Sequence, residues 1–147
     1  PQNFRESIFS HGKALVKAYL ELNSTEAPFE TKYAKGDLIG AGSNGKVYLV
    51  EEKSSGKILA AKTIPLSDEL AQQISVITEI DMMKLKHQNI VEHKEFFHVK
   101  SPPSVILIME YVEGMNLKKL SKKLDAQFKK NYKIMTGIAR HIIRNVL

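Results

Sequence analysis

Gly40, Gly42 and Gly45 stand at G-x-G-x-x-G spacing within Ile39-Gly40-Ala41-Gly42-Ser43-Asn44-Gly45-Lys46-Val47. Glycines so placed let backbone approach backbone, or a phosphate, where a Cβ would clash. A dinucleotide-binding fold uses the same spacing, but there the glycines open a helix whose N-terminus carries the pyrophosphate. Here Gly45 runs directly into Lys46-Val47-Tyr48-Leu49-Val50, a β-branched and apolar run with strand character. The glycines therefore join two strands.

The residues around this hairpin predict a small sheet with one helix. Three strands are expected between Tyr33 and Pro65: the first ends at Ile39, the second is Lys46–Glu52 and the third starts near Lys57. Ser54-Ser55-Gly56 is the turn between the last two. Ser67 or Asp68 is expected to cap a helix running to about Lys86, with Leu70, Ile74, Val76, Ile77, Ile80 and Met83 as its apolar stripe. Ile90–Val99 and Val105–Tyr111 read as two further strands, linked by Lys100-Ser101-Pro102-Pro103. Ahead of the sheet, Phe4, Ile8, Leu15, Val16, Tyr19 and Leu20 recur at helical spacing, with Gly12 a candidate break. That helix either packs on the surface of the sheet domain or is a separate regulatory element. After Gly114 the pattern is helical again, with Met135, Ile138, Ile142 and Val146 on one face.

Lys62 lies inside the apolar strand Ile58-Leu59-Ala60-Ala61-Lys62-Thr63-Ile64. An isolated ammonium is costly to bury, so Lys62 needs a partner or else points to solvent from an edge strand. Glu79 flanks the helix stripe, three residues after Val76 and four before Met83, and can reach a strand lysine from there. The five histidines show no metal-ligand spacing, and the five methionines read as core or pocket filling; no metal site is expected.

Gly40–Val47, Ala60-Ala61-Lys62, Thr78-Glu79-Ile80, His87-Gln88-Asn89-Ile90-Val91 and Met109-Glu110-Tyr111-Val112-Glu113-Gly114 occur in that order. Together they resemble the N-terminal lobe of a eukaryotic-type protein kinase, over about Tyr33 to Leu147. The resemblance implies an α+β fold: a five-stranded antiparallel sheet with one packed helix, an N-terminal helical extension, and the first helices leading towards a second lobe. It implies that Gly40, Gly42 and Gly45 cover the phosphates of ATP, while Lys62, paired with Glu79, contacts the α- and β-phosphates. Ile39, Val47, Ala60 and Met109 would sandwich the adenine, and the backbone carbonyl of Glu110 and amide of Val112 would read its edge. The side chain of Glu110 is expected to be only a solvated hinge residue. His87 would anchor the link after the helix. Asn44 stands at the hairpin tip, where many relatives carry an aromatic, and implies a looser lid. The implied activity is transfer of the ATP γ-phosphoryl group to Ser/Thr hydroxyls of a protein substrate, with ATP and Mg as cofactors. Gly114-x-x-Leu117 is similar to kinases of the MAP-kinase cascades. The family's His-Arg-Asp catalytic loop and Asp-Phe-Gly metal motif occur nowhere in the 147 residues. The chain is therefore expected to lack the magnesium ligands and to be inactive by itself. Two alternatives stay open: a non-catalytic nucleotide-binding or scaffold module that regulates a partner, and an interaction domain that uses its basic segment alone.

Length fits one domain, with expected segments at 1–30 (helical extension), 31–114 (lobe and hinge) and 115–147 (basic helical segment). With no cysteine, disulfides and thiolate metal sites are excluded. No apolar run approaches the ~20 residues that span a bilayer and no signal-peptide core is visible, so a cytoplasmic protein is expected. Residues 1–113 hold 13 Lys/Arg against 15 Asp/Glu, whereas residues 114–147 hold 9 Lys/Arg and only Asp125. The whole basic surplus thus falls on Lys118, Lys119, Lys122, Lys123, Lys129, Lys130, Lys133, Arg140 and Arg144. A solvated helix face is the plainer reading, and a docking surface for acidic peptide, phosphate or anionic lipid the sharper one. The lysines lack the aromatic interleaving of a nucleic-acid groove, so nucleic acid is not an expected partner. Self-association or a complementing fragment through the C-terminal helix is, since an uncovered apolar stripe favours association.

Overall fold

A computed structural model of the chain describes the backbone at residues 2–114 and 117–146, and side chains at 6, 10–114, 117–131 and 133. Its elements are α1 (Gln2–Asn23), α2 (Phe29–Lys32), β1 (Tyr33–Gly42), β2 (Gly45–Glu52), β3 (Ile58–Pro65), α3 (Leu70–Met82), β4 (His93–Lys100), β5 (Pro103–Glu110) and α4 (Leu117–Val146). They fall into two compact units, residues 1–112 and 113–147.

The first unit is built on a five-stranded sheet of order β1-β2-β3-β5-β4, antiparallel throughout. Several boundaries differ from the sequence expectation, each for a local reason. β1 continues past Ile39 because its pairing with β2 runs on to Gly42↔Gly45, which leaves Ser43-Asn44 as a two-residue turn. β5 begins at Pro103 rather than Val105, so the link from β4 shrinks to Ser101-Pro102. β4 begins at His93 rather than Ile90, since the Ile90 N–H donates to the His87 carbonyl at 3.0 Å in a turn. Neither Ser67 nor Asp68 caps α3: Glu69 is the N-cap and makes no side-chain capping bond. The helix ends at Met82, four residues early, where Met83, Lys84 and Leu85 donate to carbonyls three residues back and tighten the chain into turns.

Side-chain alternation gives the sheet two apolar faces. On one, Ile64, Phe96, Val105 and Leu107 pack against Val76 and Ile80 of α3 and Leu20 of α1. On the other, Val50, Leu59, Ala61, Phe97 and Ile108 pack against Phe29 of α2 and Tyr33, with the Phe29 and Tyr33 rings stacked at 5.6 Å. Burying each large side chain is worth ~1.5–3 kcal/mol, so both faces contribute.

Covering the first face thus takes two helices, not α3 alone. α1 runs unbroken through Gly12, and that glycine marks a close approach: a Cβ there would lie 2.7 Å from the Leu70 side chain. Leu20 is 2% exposed, so α1 packs into the core. The segment after α1 is pinned by Glu95, whose carboxylate accepts from Thr25 Oγ1 at 2.7 Å, Lys32 Nζ at 2.6 Å and Tyr33 Oη at 2.5 Å.

The second unit holds α4 as one continuous helix where several were expected. Its described lysines are exposed, as are Leu117 and Phe128. The readings placed on Met115, and on the side chains of Phe4, Ile8, Met135, Ile138, Arg140, His141, Ile142, Arg144 and Val146, lie outside what the structure describes. Among the described residues no helix is long and apolar enough to cross a membrane.

Candidate functional site

β3 sits in the middle of the sheet, and Lys62 has Val47 of β2 on one side and Leu107 of β5 on the other. An edge-strand lysine pointing to solvent is therefore excluded. Alternation puts Lys62 on the same face as Ala60 and Ile64, the face that α3 covers. There its Nζ lies 2.5 Å from Glu79 Oε1, with the side chains 22% and 34% exposed. An ion pair this open to water contributes ~0–1 kcal/mol. Its consequence is placement: a cation is held at a fixed depth beside the glycine hairpin.

The three glycines of the motif differ in what surrounds them. Gly45 has φ +123°, and a Cβ would come within 2.2 Å of the Thr63 carbonyl oxygen. The fold itself requires glycine there. Gly40 would meet only ordinary contact with Val47, at 3.8 Å. At Gly42 nothing lies within 4 Å of the added Cβ. No protein atom demands glycine at that position, and the space beside it is open to an approaching anion.

Val47, Ala60 and Met109 share the Lys62 face through the pairs Val47↔Lys62 and Ala60↔Met109. Ala60 is 5% exposed, whereas Ile39 and Val112 are 43% and 63% exposed. Val47, Ala60 and Met109 thus line one face of the sheet together. The Glu110 carboxylate is not simply solvated: it accepts the Glu92 N–H at 2.9 Å, while the Glu110 N–H donates to the Glu92 carbonyl at 2.8 Å. Glu110 thereby ties the end of β5 to the segment that leads into β4.

Other features had no clear sequence signal. Tyr19 Oη donates to Asp81 Oδ1 at 2.6 Å, joining α1 to α3 across 62 residues. That bond, with help from Lys84, holds the Asp81 carboxyl below its ordinary range. A cavity of about 190 Å³ lies between the hairpin tip and α3, bounded by Ser43, Asn44, Gln72, Ser75 and Glu79. A cleft of about 420 Å³ lined by Lys13, Val16, Lys17, Leu66, His98 and Pro103 shares no residue with the Lys62–Glu79 pair. Size alone favours the second space, but the first is bounded by the hairpin tip and by Glu79, the partner of Lys62. Among the described residues no group of three or more His, Cys, Asp or Glu is gathered to hold a metal.

The protein kinase domain family matches residues 33–147. The matched range starts at Tyr33, the first residue of β1, and excludes α1 and α2. Cytokinesis protein sepH of Emericella nidulans is 38% identical over 113 residues, covering 76% of this chain and 8% of sepH. MAP3K epsilon protein kinase 1 of Brassica napus is 34% identical over 95 residues, covering 63% of this chain and 7% of the relative. Mitogen-activated protein kinase kinase kinase 3 of Homo sapiens is 31% identical over 100 residues, covering 65% and 16%. The chain thus spans under a fifth of the length of these curated relatives.

Proposed function

The chain belongs to the protein kinase family, and from that premise we propose that it is the ATP-binding portion of a Ser/Thr protein kinase. In this reading residues 31–114 form the nucleotide-binding lobe with its hinge. Gly42 admits the phosphates, Lys62 contacts the α- and β-phosphates, and Glu79 keeps the ammonium in place. Ile39, Val47, Ala60 and Met109 enclose the adenine, whose edge meets the backbone at Glu110 and Val112. The protein substrate would receive the γ-phosphoryl group on a Ser or Thr hydroxyl. The cytoplasm, where ATP and protein substrates meet, is the compartment this reading carries.

The observation that carries the proposal is the Lys62–Glu79 pair at 2.5 Å beside a glycine that no protein contact explains. The residues suit the group: a small alanine shares the sheet face of Val47 and Met109, a cation is already positioned, and open space adjoins Gly42. Kinase chemistry is mainly positioning and electrostatic stabilisation, and this chain's residues provide the positioning. Magnesium, when bound with the nucleotide, neutralises phosphate charge in such enzymes; the described residues offer it no cluster of carboxylates. Calorimetric titration with ATP tests the reading. The parent chain should bind and Lys62→Met should lose most of that affinity; equal binding by both contradicts the assignment.

A further inference from the structure

We propose that α1 is a positioning element for the Lys62–Glu79 pair, with Leu20 and Tyr19 holding α3 at the depth where Glu79 reaches Lys62. The inference rests on the proposed nucleotide site and adds a control element to it.

Three contacts run along α3. At its first residue, the Leu70 side chain closes on Gly12, where a Cβ would come within 2.7 Å. In its second half, Val76 and Ile80 share a cluster with Leu20. Just before its end, Asp81 accepts the Tyr19 hydroxyl at 2.6 Å. Gly12 meets the start of α3, while Tyr19 and Leu20 together meet its second half, so α1 lies alongside α3 and braces it near both ends. Glu79 stands between Val76 and Ile80, and any shift of that segment carries its carboxylate with it.

The polar ties of α3 to the sheet side are few: Lys62–Glu79 and, at its start, Gln72 Nε2 to the Pro65 carbonyl at 2.8 Å. A partly exposed ion pair is a weak tether, so the resting place of the helix is set by its apolar packing, on the sheet at Ile64, Phe96, Val105 and Leu107 and against Leu20 of α1. Because α1 lies outside the matched kinase range, this brace is a feature of the present chain and does not come from the family match.

The absence of cysteine permits a direct test. Spin labels at Ile74→Cys on an exposed position of α3 and Lys57→Cys ahead of β3 report the distance between helix and sheet without nucleotide. That distance and ATP affinity are measured in the parent and in Leu20→Ala, Tyr19→Phe and Leu22→Ala, the last a control on an exposed position of α1. Leu20→Ala should broaden the distance distribution and weaken ATP binding about fivefold or more, in the range of ordinary coupling between sites. Tyr19→Phe should act in the same direction by less, and Leu22→Ala should do neither. A Leu20→Ala chain that melts earlier yet keeps the parent distance and affinity has lost only packing, and the proposal is overturned. If Leu20→Ala does not fold, Tyr19→Phe, which removes one hydroxyl, decides on the same two readouts. If the parent binds no ATP, the nucleotide reading falls, and the label distance alone decides whether α1 positions α3.

Discussion

Alanine at Gly45 should damage the fold, whereas alanine at Gly42 should not, although both glycines belong to one motif. At Gly45 the backbone has φ +123°, which side chains with L chirality rarely adopt, and the new methyl would lie 2.2 Å from the Thr63 carbonyl oxygen. That oxygen is backbone in the central strand and cannot swing aside as a flexible side chain would. Relief requires opening the end of the β2–β3 ladder, where Lys46 pairs with Thr63. An incompatible glycine replacement costs more than ~1 kcal/mol, and a lost ladder bond adds ~1 kcal/mol. A total of about 2–3 kcal/mol lowers the melting temperature of a domain this size by roughly 5–10 °C. Gly42 has no positive φ and an empty surround, so alanine there leaves stability unchanged or raises it by ~0.4–1 kcal/mol through the unfolded chain. Its methyl does intrude on the open space that the proposal gives to phosphate, so ATP binding should weaken. Calorimetric melts of the three proteins, each with and without ATP, separate the cases. Equal destabilisation by the two alanines, or a Gly45→Ala protein that melts like the parent, would refute this division of roles.

Further expectations concern charge and chemistry. Lys62→Met should leave the unliganded melting temperature nearly unchanged, since the exposed pair contributes only ~0–1 kcal/mol. It should also remove the ATP-induced rise, which for a ligand at ~100 times Kd corresponds to ~2.7 kcal/mol; an undiminished rise sinks the role given to Lys62. Burial pushes the Glu95 carboxyl up, but the bonds from Lys32, Tyr33 and Thr25 outweigh it and leave its pKa below the ordinary 4.5. The folded state therefore holds that proton less tightly than the unfolded chain, so the stabilisation is complete above 4.5 and drains as pH falls through the folded value. Glu95→Gln should flatten the acid limb of a stability–pH curve, and an acid limb as steep as the parent's contradicts this. The 147-residue chain alone should transfer no γ-phosphate to a protein substrate. Turnover near ~1 s⁻¹, the low end for kinases, in preparations cleared of contaminating enzyme would be the opposite result.

The sheet and α3 were legible because their signals are local: alternating apolar runs, a glycine hairpin and a helical stripe. The Lys62–Glu79 pairing was legible because an ammonium in an apolar strand calls for a partner. The bracing role of α1 was not. Its key interactions, Leu20 in one cluster with Val76 and Ile80 and Tyr19 with Asp81, join residues more than fifty positions apart, and periodicity within one helix says nothing about what covers its stripe. Gly12 shows the limit well. In a helical pattern an isolated glycine marks either a break or a close approach, and only the position of Leu70 decides between them. Gly42 and Gly45 are alike in the motif, yet one is held by backbone geometry and the other by no protein atom. Glu95 lies in a polar-apolar strand pattern that marks it as a surface residue, and its three partners come from a segment sixty to seventy residues earlier.

The most direct test is a residue-resolved NMR titration of the chain with ATP. Amide shifts should concentrate at Gly42, Val47, Ala60, Lys62 and Val112 and saturate together with a single Kd. Shifts confined to the cleft around Val16, Leu66 and His98, or no shifts at millimolar ATP, would contradict the nucleotide reading.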